Sequence, residues 1–310
     1  MITTVTLNAS VDKAYHMEDE IVNGTVMRVK TCRNSAGGKG LNVARVIKLC
    51  GADVKATGLI GGFNGQYLES MLDEDGILHE FGHVNGETRS CINILDPKYK
   101  STEYLEPGFV VSSEEIERYL DEFRQIITDS DVVTISGSTP TGLEKDIYQK
   151  IVKIIKEEGK QVILDTSGEL LQKGLLAKPT MVKPNQDEIE TLFDIKVNSL
   201  QDVIDAAKKI YDMGIPYVVI SLGGEGALIV CSTGIYQAIP PKMEVMNTVG
   251  CGDSMVGAFA VALEKKKKPE EALAYAVAVG SANAMSLNTG DFDPELSKEI
   301  LSKVTIQKIG

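Results

Sequence analysis

Apolar residues along this chain fall into two alternating rhythms. Short runs rich in Val, Ile and Leu predict buried strands at 2–7, 54–60, 132–136, 161–165, 181–182 and 217–221. Between them, apolar residues recur three and four positions apart. Val43, Val46 and Ile47 form one such set, in a stretch 42–50 that stops at Gly51. The same spacing predicts helices at 66–73, 116–127, 147–157, 188–193 and 203–213. Alternation of this kind builds a largely parallel sheet covered by helices on both faces. Near the C-terminus, 227–230 and 235–239 predict a hairpin, and two helices follow Gly252.

Two segments break the rhythm. Residues 13–33 and 88–106 are strand-like but alternate with polar positions, as in Thr88, Ser90, Ile92, Ile94 and then Thr102, Tyr104. They predict a small antiparallel sheet projecting from the main body. An exposed sheet with one apolar face needs a cover. The remaining stretches, 1–12, 34–87 and 107–310, form the α/β core.

Composition narrows the function classes. A chain of 310 residues suffices for one large α/β domain with an insertion. A formal net charge of -12 argues against nucleic acid as a partner. The four lysines at 265–268 read as a helix end, where positive charge suits the dipole. Five cysteines without CxxC spacing make neither a zinc site nor a disulfide framework. Reduced thiols, a first strand in place of a signal peptide, and no apolar run near the roughly 18 residues of a membrane helix lead to a cytoplasmic expectation.

Candidate chemistry concentrates in two Gly-rich turns. In Asn247-Thr248-Val249-Gly250-Cys251-Gly252-Asp253-Ser254, two glycines flank a small residue, an acid follows, and a helix begins. The first N–H groups of a helix lack internal partners and sit at the positive end of its dipole, which suits anionic oxygens. An aspartate beside that seat can act as a base on a hydroxyl. The second turn is Ser35-Ala36-Gly37-Gly38-Lys39-Gly40-Leu41-Asn42-Val43-Ala44-Arg45, with a lysine and an asparagine in its first helical turns. No Walker A loop and no Rossmann glycine fingerprint occurs.

Together the two turns resemble the signature regions of the ribokinase/PfkB sugar kinase family. Asn8 and Asp12, Thr88-Arg89, Ser136-Gly137-Ser138, Lys183-Pro184-Asn185 with Glu188, and Ser221-Leu222-Gly223-Gly224-Glu225-Gly226 match in the expected order. The resemblance implies a three-layer ribokinase-like α/β/α core with a small β-sheet lid, the lid also pairing two subunits. It implies Asp253 as catalytic base, with the N–H groups of Gly250, Cys251 and Gly252 facing the transferred phosphoryl group. It places the sugar against Asp12, Gly37, Gly38, Lys39, Asn42, Arg89 and Ser138, with Arg28 as a further lid cation. ATP is expected along Lys183, Asn185, Ser221, Gly223, Gly224 and Gly226, with Asn288 closing over the adenine. Asn185 and Glu188 are expected to organise Mg2+ through water. Asn247 is often Asp in the family, which weakens any ion contact there. His16, His79 and His83 show no ligand spacing and read as structural.

The form Gly-Gly-Lys-Gly resembles the branch acting on sugars that already carry a phosphate. Lys39 and Arg89 suit that anion, arginine offering it a bidentate fork. The expected reaction is ATP-dependent phosphorylation of a ketohexose monophosphate. The 61–65, 165–168 and 283–290 regions lean toward tagatose 6-phosphate; 247–250 and 253–256 resemble 1-phosphofructokinases. A non-catalytic sugar-phosphate sensor on the same fold is the alternative of another class.

Overall fold

The computed structural model describes residues 1–98 and 101–310; the two residues between them, within the expected 88–106 insertion, lie outside the described residues. The chain begins with β1 (Ile2–Thr6), crosses into β2 (Ser10–Met17) and β3 (Val29–Gly37), and enters α1 (Lys39–Leu49). Then come β4 (Val54–Ile60), α2 (Gly62–Glu74), the short β5 (Leu78–His79) and β6 (Gly82–His83), and β7 (Arg89–Leu95) with β8 (Ser101–Leu105). Regular βα alternation follows: α3 (Ser113–Ile126), β9 (Val132–Ser136), α4 (Ile147–Glu157), β10 (Gln161–Asp165), α5 (Gly168–Leu175), β11 (Met181–Val182), α6 (Gln186–Phe193), α7 (Leu200–Asp212) and β12 (Tyr217–Ser221). A hairpin, β13 (Ala227–Cys231) and β14 (Gly234–Ile239), precedes α8 (Cys251–Glu264), α9 (Pro269–Ala284), α10 (Pro294–Leu301) and the edge strand β15 (Thr305–Lys308).

The large sheet has the order β15-β14-β13-β12-β11-β10-β9-β1-β4-β5, with β6 beside β4. It is parallel from β12 through β9 and β1 to β4, and antiparallel at the β13–β15 edge. Its central strands are buried on both faces, as their unbroken apolar runs require. One apolar core lies beneath α1, α8 and α9 and the other beneath α3, α4 and α7. Helix α8 is apolar all round because α1 and α9 pack on either side of it.

The second sheet has the order β3-β2-β7-β8. Its outer pairs are antiparallel, as expected, while β2 and β7 run parallel. Its first hairpin, β2 and β3, runs from Ser10 to Gly37, reaching beyond the expected 13–33 because the two strands stay paired down to Ser10↔Gly37.

Helix α2 begins four residues before the expected start. Glu87, distant in sequence, accepts from the N–H groups of Phe63 (3.2 Å) and Asn64 and caps the first turn from outside. By contrast, α3 carries its own signal: Ser112 and Glu115 form a reciprocal capping box. Helices α5 and α10 and strand β15 have no forerunner in the periodicity. Each is short, and β15 is held by pairing with β14.

Candidate active site

Chain order along the large sheet reverses between β1 and β9, so the carboxyl ends of these strands open a crevice. The N-termini of α1 and α8 meet above it. Gly250 caps α8 at φ +81, a left-handed conformation that a side chain resists. A Cβ there would also lie 2.6 Å from Thr289 Cγ2 and 2.9 Å from the Gly290 nitrogen. The Cys251 N–H is spent on the Thr248 carbonyl (3.3 Å). The turn closes on itself at that residue, whose amide the family resemblance had placed toward the phosphoryl group. The first helical bond runs from the Ser254 N–H to the Gly250 carbonyl (2.8 Å), so the amides of Gly252 and Asp253 are the helix-start donors.

Asp253 sits in this first turn, 5% exposed. Burial pushes its carboxyl up to about 6, with nearby Asp165 adding to the rise. Lys39, the Asn42 hydrogen bond and Lys183 oppose that rise. The Asn42 amide donates to Asp253 Oδ2 at 2.9 Å. Two lysines flank the acid. Lys183, buried after β11, meets Asp165 Oδ1 at 3.2 Å, and Lys39, at the start of α1, lies 3.8 Å from Asp165 Oδ2. The longer contact is coulombic, and Oδ2 has no hydrogen-bond partner among the described residues. The charge of Asp165 is still the main reason that Lys39 titrates above its ordinary value.

Two clefts share Gly252. The smaller, about 480 Å³, lies between the core and the small sheet and is lined by Asp12, Gly38, Lys39, Asn42, Arg89 and Asp253. Asp12 accepts from Ser10 Oγ at 2.6 Å, and its carboxyl fills the space where a Gly37 Cβ would stand. Burial raises its pKa, against the pull of Ser10, Arg45 and Arg89. Arg89 is braced through the carbonyls of Asn8 (3.1 Å) and Glu106 (3.2 Å). Ser138 lies outside this lining, its hydroxyl accepting from Asn8 Nδ2 at 3.3 Å. Arg28 is exposed on the small sheet's connection and does not line the cleft; Arg33, two strand positions before Ser35, does. His16, read as structural, also lines it.

The larger cleft, about 650 Å³, is lined by Asn185, Ser221, Gly223, Gly224 and Gly226, with Met243, Val245 and Val277 forming an apolar wall. Lys183 stands behind this lining: a Cβ on Gly252 would be 3.4 Å from its Nζ, which puts the ammonium directly behind the helix-start turn. Asn288, expected over the adenine, lines the other cleft and donates to Asp291 (2.9 Å). The reason is Asn283, whose Oδ1 gathers the N–H groups of Gly290 (2.9 Å) and Asp291 (3.3 Å) and turns that loop toward α1. Asn185 and Glu188 cap their own helix reciprocally, at 2.8 and 2.9 Å.

Asp165, Arg45 and Asn283 were missing from the expected set. Asp165 ends an apolar parallel strand at its carboxyl edge, which was a usable signal. Arg45 is a charge within the apolar face of α1. Asn283 carried no local signal.

Residues 5–296 match the profile of the pfkB family carbohydrate kinases. A tagatose-6-phosphate kinase of Staphylococcus epidermidis is 38% identical, the match spanning 100% of both chains. A 1-phosphofructokinase of Bacillus subtilis is also 38% identical, over 98% of this chain and 99% of its own. Phosphofructokinase-2 of Escherichia coli, solved in complex with potassium, superposes with a TM-score of 0.92 at 31% identity, covering 97% of this chain and 98% of its own. The chain belongs to the pfkB family of carbohydrate kinases. Its fold is the ribokinase-like α/β core with a smaller β-sheet.

Proposed function

We propose that this protein transfers the γ-phosphate of ATP to a ketohexose monophosphate, with tagatose 6-phosphate as substrate and the 1,6-bisphosphate as product. The observation that carries this reading is the junction of two clefts at Gly252, with Asp253 on the side of the smaller one. ATP occupies the larger cleft, its base against Met243, Val245 and Val277. The sugar phosphate occupies the smaller cleft, its existing phosphate facing Arg89 and Arg33 and its hydroxyls held by Asp12. The small sheet acts as a lid over it, excluding water.

Asp253 accepts the proton of the sugar's free primary hydroxyl, and that oxygen attacks the γ-phosphorus in line. The amides of Gly252 and Asp253 face the charge that develops on the phosphoryl oxygens, and Lys183 adds its positive charge from behind the turn. Lys39 stands beside Asp253 and keeps it ionised.

Magnesium is the expected companion of ATP. The described residues contain no group of three or more His, Cys, Asp or Glu able to hold a metal directly. Asn185 and Glu188 would hold a hydrated ion through its waters, beside the nucleotide's phosphates; Glu188 Oε2 accepts the Asn185 N–H in the helix cap, and Oε1 would be the oxygen available. When bound, the ion neutralises phosphate charge. The exposed Val22, Val26, Tyr104 and Leu105 of the lid support pairing of two subunits through that face.

Fructose 1-phosphate is the second reading, because the two named relatives are equally similar to this chain. A coupled ADP-release assay with Mg·ATP decides among tagatose 6-phosphate, fructose 1-phosphate, fructose 6-phosphate and unphosphorylated sugars. A kcat/KM at least tenfold higher for tagatose 6-phosphate is expected. Preference for fructose 1-phosphate replaces the substrate and keeps the reaction class. No turnover, in folded protein that still binds sugar phosphate, overturns the kinase reading.

A further inference from the structure

Arg45 has no part in the reaction described above, yet it is charged and its side chain is only 15% exposed. Burial draws its pKa down, with Asp75 and Asp12 opposing that shift. A buried guanidinium is tolerated only where its donors are met. Nη2 donates to the Ala36 carbonyl at 2.7 Å. Nη1 is shared between Asn42 Oδ1 and the Thr289 carbonyl, each at 3.3 Å. Nε faces Asp75 Oδ2 at 3.7 Å. These acceptors lie on β3, on α1, on the loop beneath Gly250 and at the end of α2. One side chain therefore joins the small sheet to the elements that surround Asp253.

The direction of one amide follows from this. Arg45 has donors only, so it must meet the oxygen of Asn42. The Asn42 nitrogen is then left to donate to Asp253 Oδ2. Flipped, the amide would set its oxygen against a carboxylate and its NH2 against a guanidinium. We propose that Arg45 is a positioning residue: it locks the Asn42 amide as a donor to Asp253 Oδ2 and leaves Oδ1 for the incoming hydroxyl. This rests on the kinase reading, in which Asp253 is the base.

The charged groups facing Asp253 are Lys39 from α1, Asp165 from β10 and Lys183 beyond β11. Those around Arg45 are Asp75, Asp12, Arg33 and Asp291. Arg45→Lys leaves all of them and keeps a cation, but one ammonium cannot hold Ala36, Thr289 and Asn42 together. It therefore separates amide positioning from simple loss of charge.

The test is the pH dependence of kcat and KM in wild type, Arg45→Lys, Arg45→Met, Asn42→Leu and the Arg45→Lys/Asn42→Leu double variant. A hydrogen bond to a charged acceptor favours the ionised form. Loss of it should move the acid limb of kcat up by about one pH unit in Arg45→Lys. The KM for ATP should stay within about twofold, and the double variant should match Asn42→Leu alone. An unmoved limb in Arg45→Lys, a limb that moves only in Arg45→Met, or additive shifts in the double variant each overturn the proposal. Arg45→Lys carries the test if Arg45→Met does not fold. Asp253→Asn is run alongside: if it turns over normally, the kinase reading has failed, whereas an unmoved limb with inactive Asp253→Asn sinks only the role of Arg45.

Discussion

Replacing Asp253 with asparagine should make the protein at once more stable and nearly inactive. The folded structure holds this carboxyl at about 6, against an ordinary value of 3.8, mainly because it is buried. The raised pKa means that folding favours the neutral acid. Its stabilising contribution is therefore full below the unfolded value and is lost as pH rises through about 6. The gap of about two units corresponds to about 3 kcal/mol at pH 8, as an order of magnitude. Asparagine has the same shape and no charge, and its oxygen can still accept from Asn42 Nδ2. Thermal unfolding of ligand-free Asp253→Asn should therefore show a higher Tm than wild type at pH 8 and the same Tm near pH 4. Turnover should fall by roughly 10²–10⁴, the usual weight of a general base. In wild type the acid limb of kcat/KM should lie near pH 6. Equal Tm differences at pH 4 and pH 8 would refute the argument from burial. A variant kcat within a few-fold of wild type would refute the role as base.

Two further substitutions probe the same turn and its support. Gly250→Ala places a methyl 2.6 Å from Thr289 Cγ2 at a φ of +81, and should lower stability by about 1–3 kcal/mol in urea unfolding; an unchanged midpoint would mean that the turn is not constrained as described. Asp165→Asn frees Lys39 and Lys183 together, and should cut kcat by about 10–100-fold while raising the KM for sugar phosphate; a variant with wild-type kinetics would show that the lysines hold their places without it.

The sequence revealed those parts of the molecule in which short-range pattern and tertiary role coincide. Strands β4, β9, β10 and β12 are bounded as their apolar runs predict, because a strand buried on both faces has no freedom to be anything else. The two Gly-rich turns were legible because an N-terminal helix turn that faces an anion needs small residues in sequence. What escaped were contacts across long separations. Glu87 caps α2 over an interval of 23 and 24 residues, and Arg45 reaches Thr289 across 244. Asn288 lines the smaller cleft for the same reason: its position is set by Asn283 and by Gly290 lying on Asn42, neither of which leaves a local signature.

The charge at the centre of the site explains how an acidic chain can bind two anions. Lys39 and Lys183 are balanced by Asp165 and Asp253, so the junction carries no net charge from these groups before substrates arrive. Two unpaired ammoniums there would repel each other. Asp165 offsets this by pairing with both, Lys183 at 3.2 Å and Lys39 at 3.8 Å. Lys39 also supports the ionisation of Asp253. The lysine that lines the smaller cleft is thus the one that opposes protonation of Asp253 most strongly.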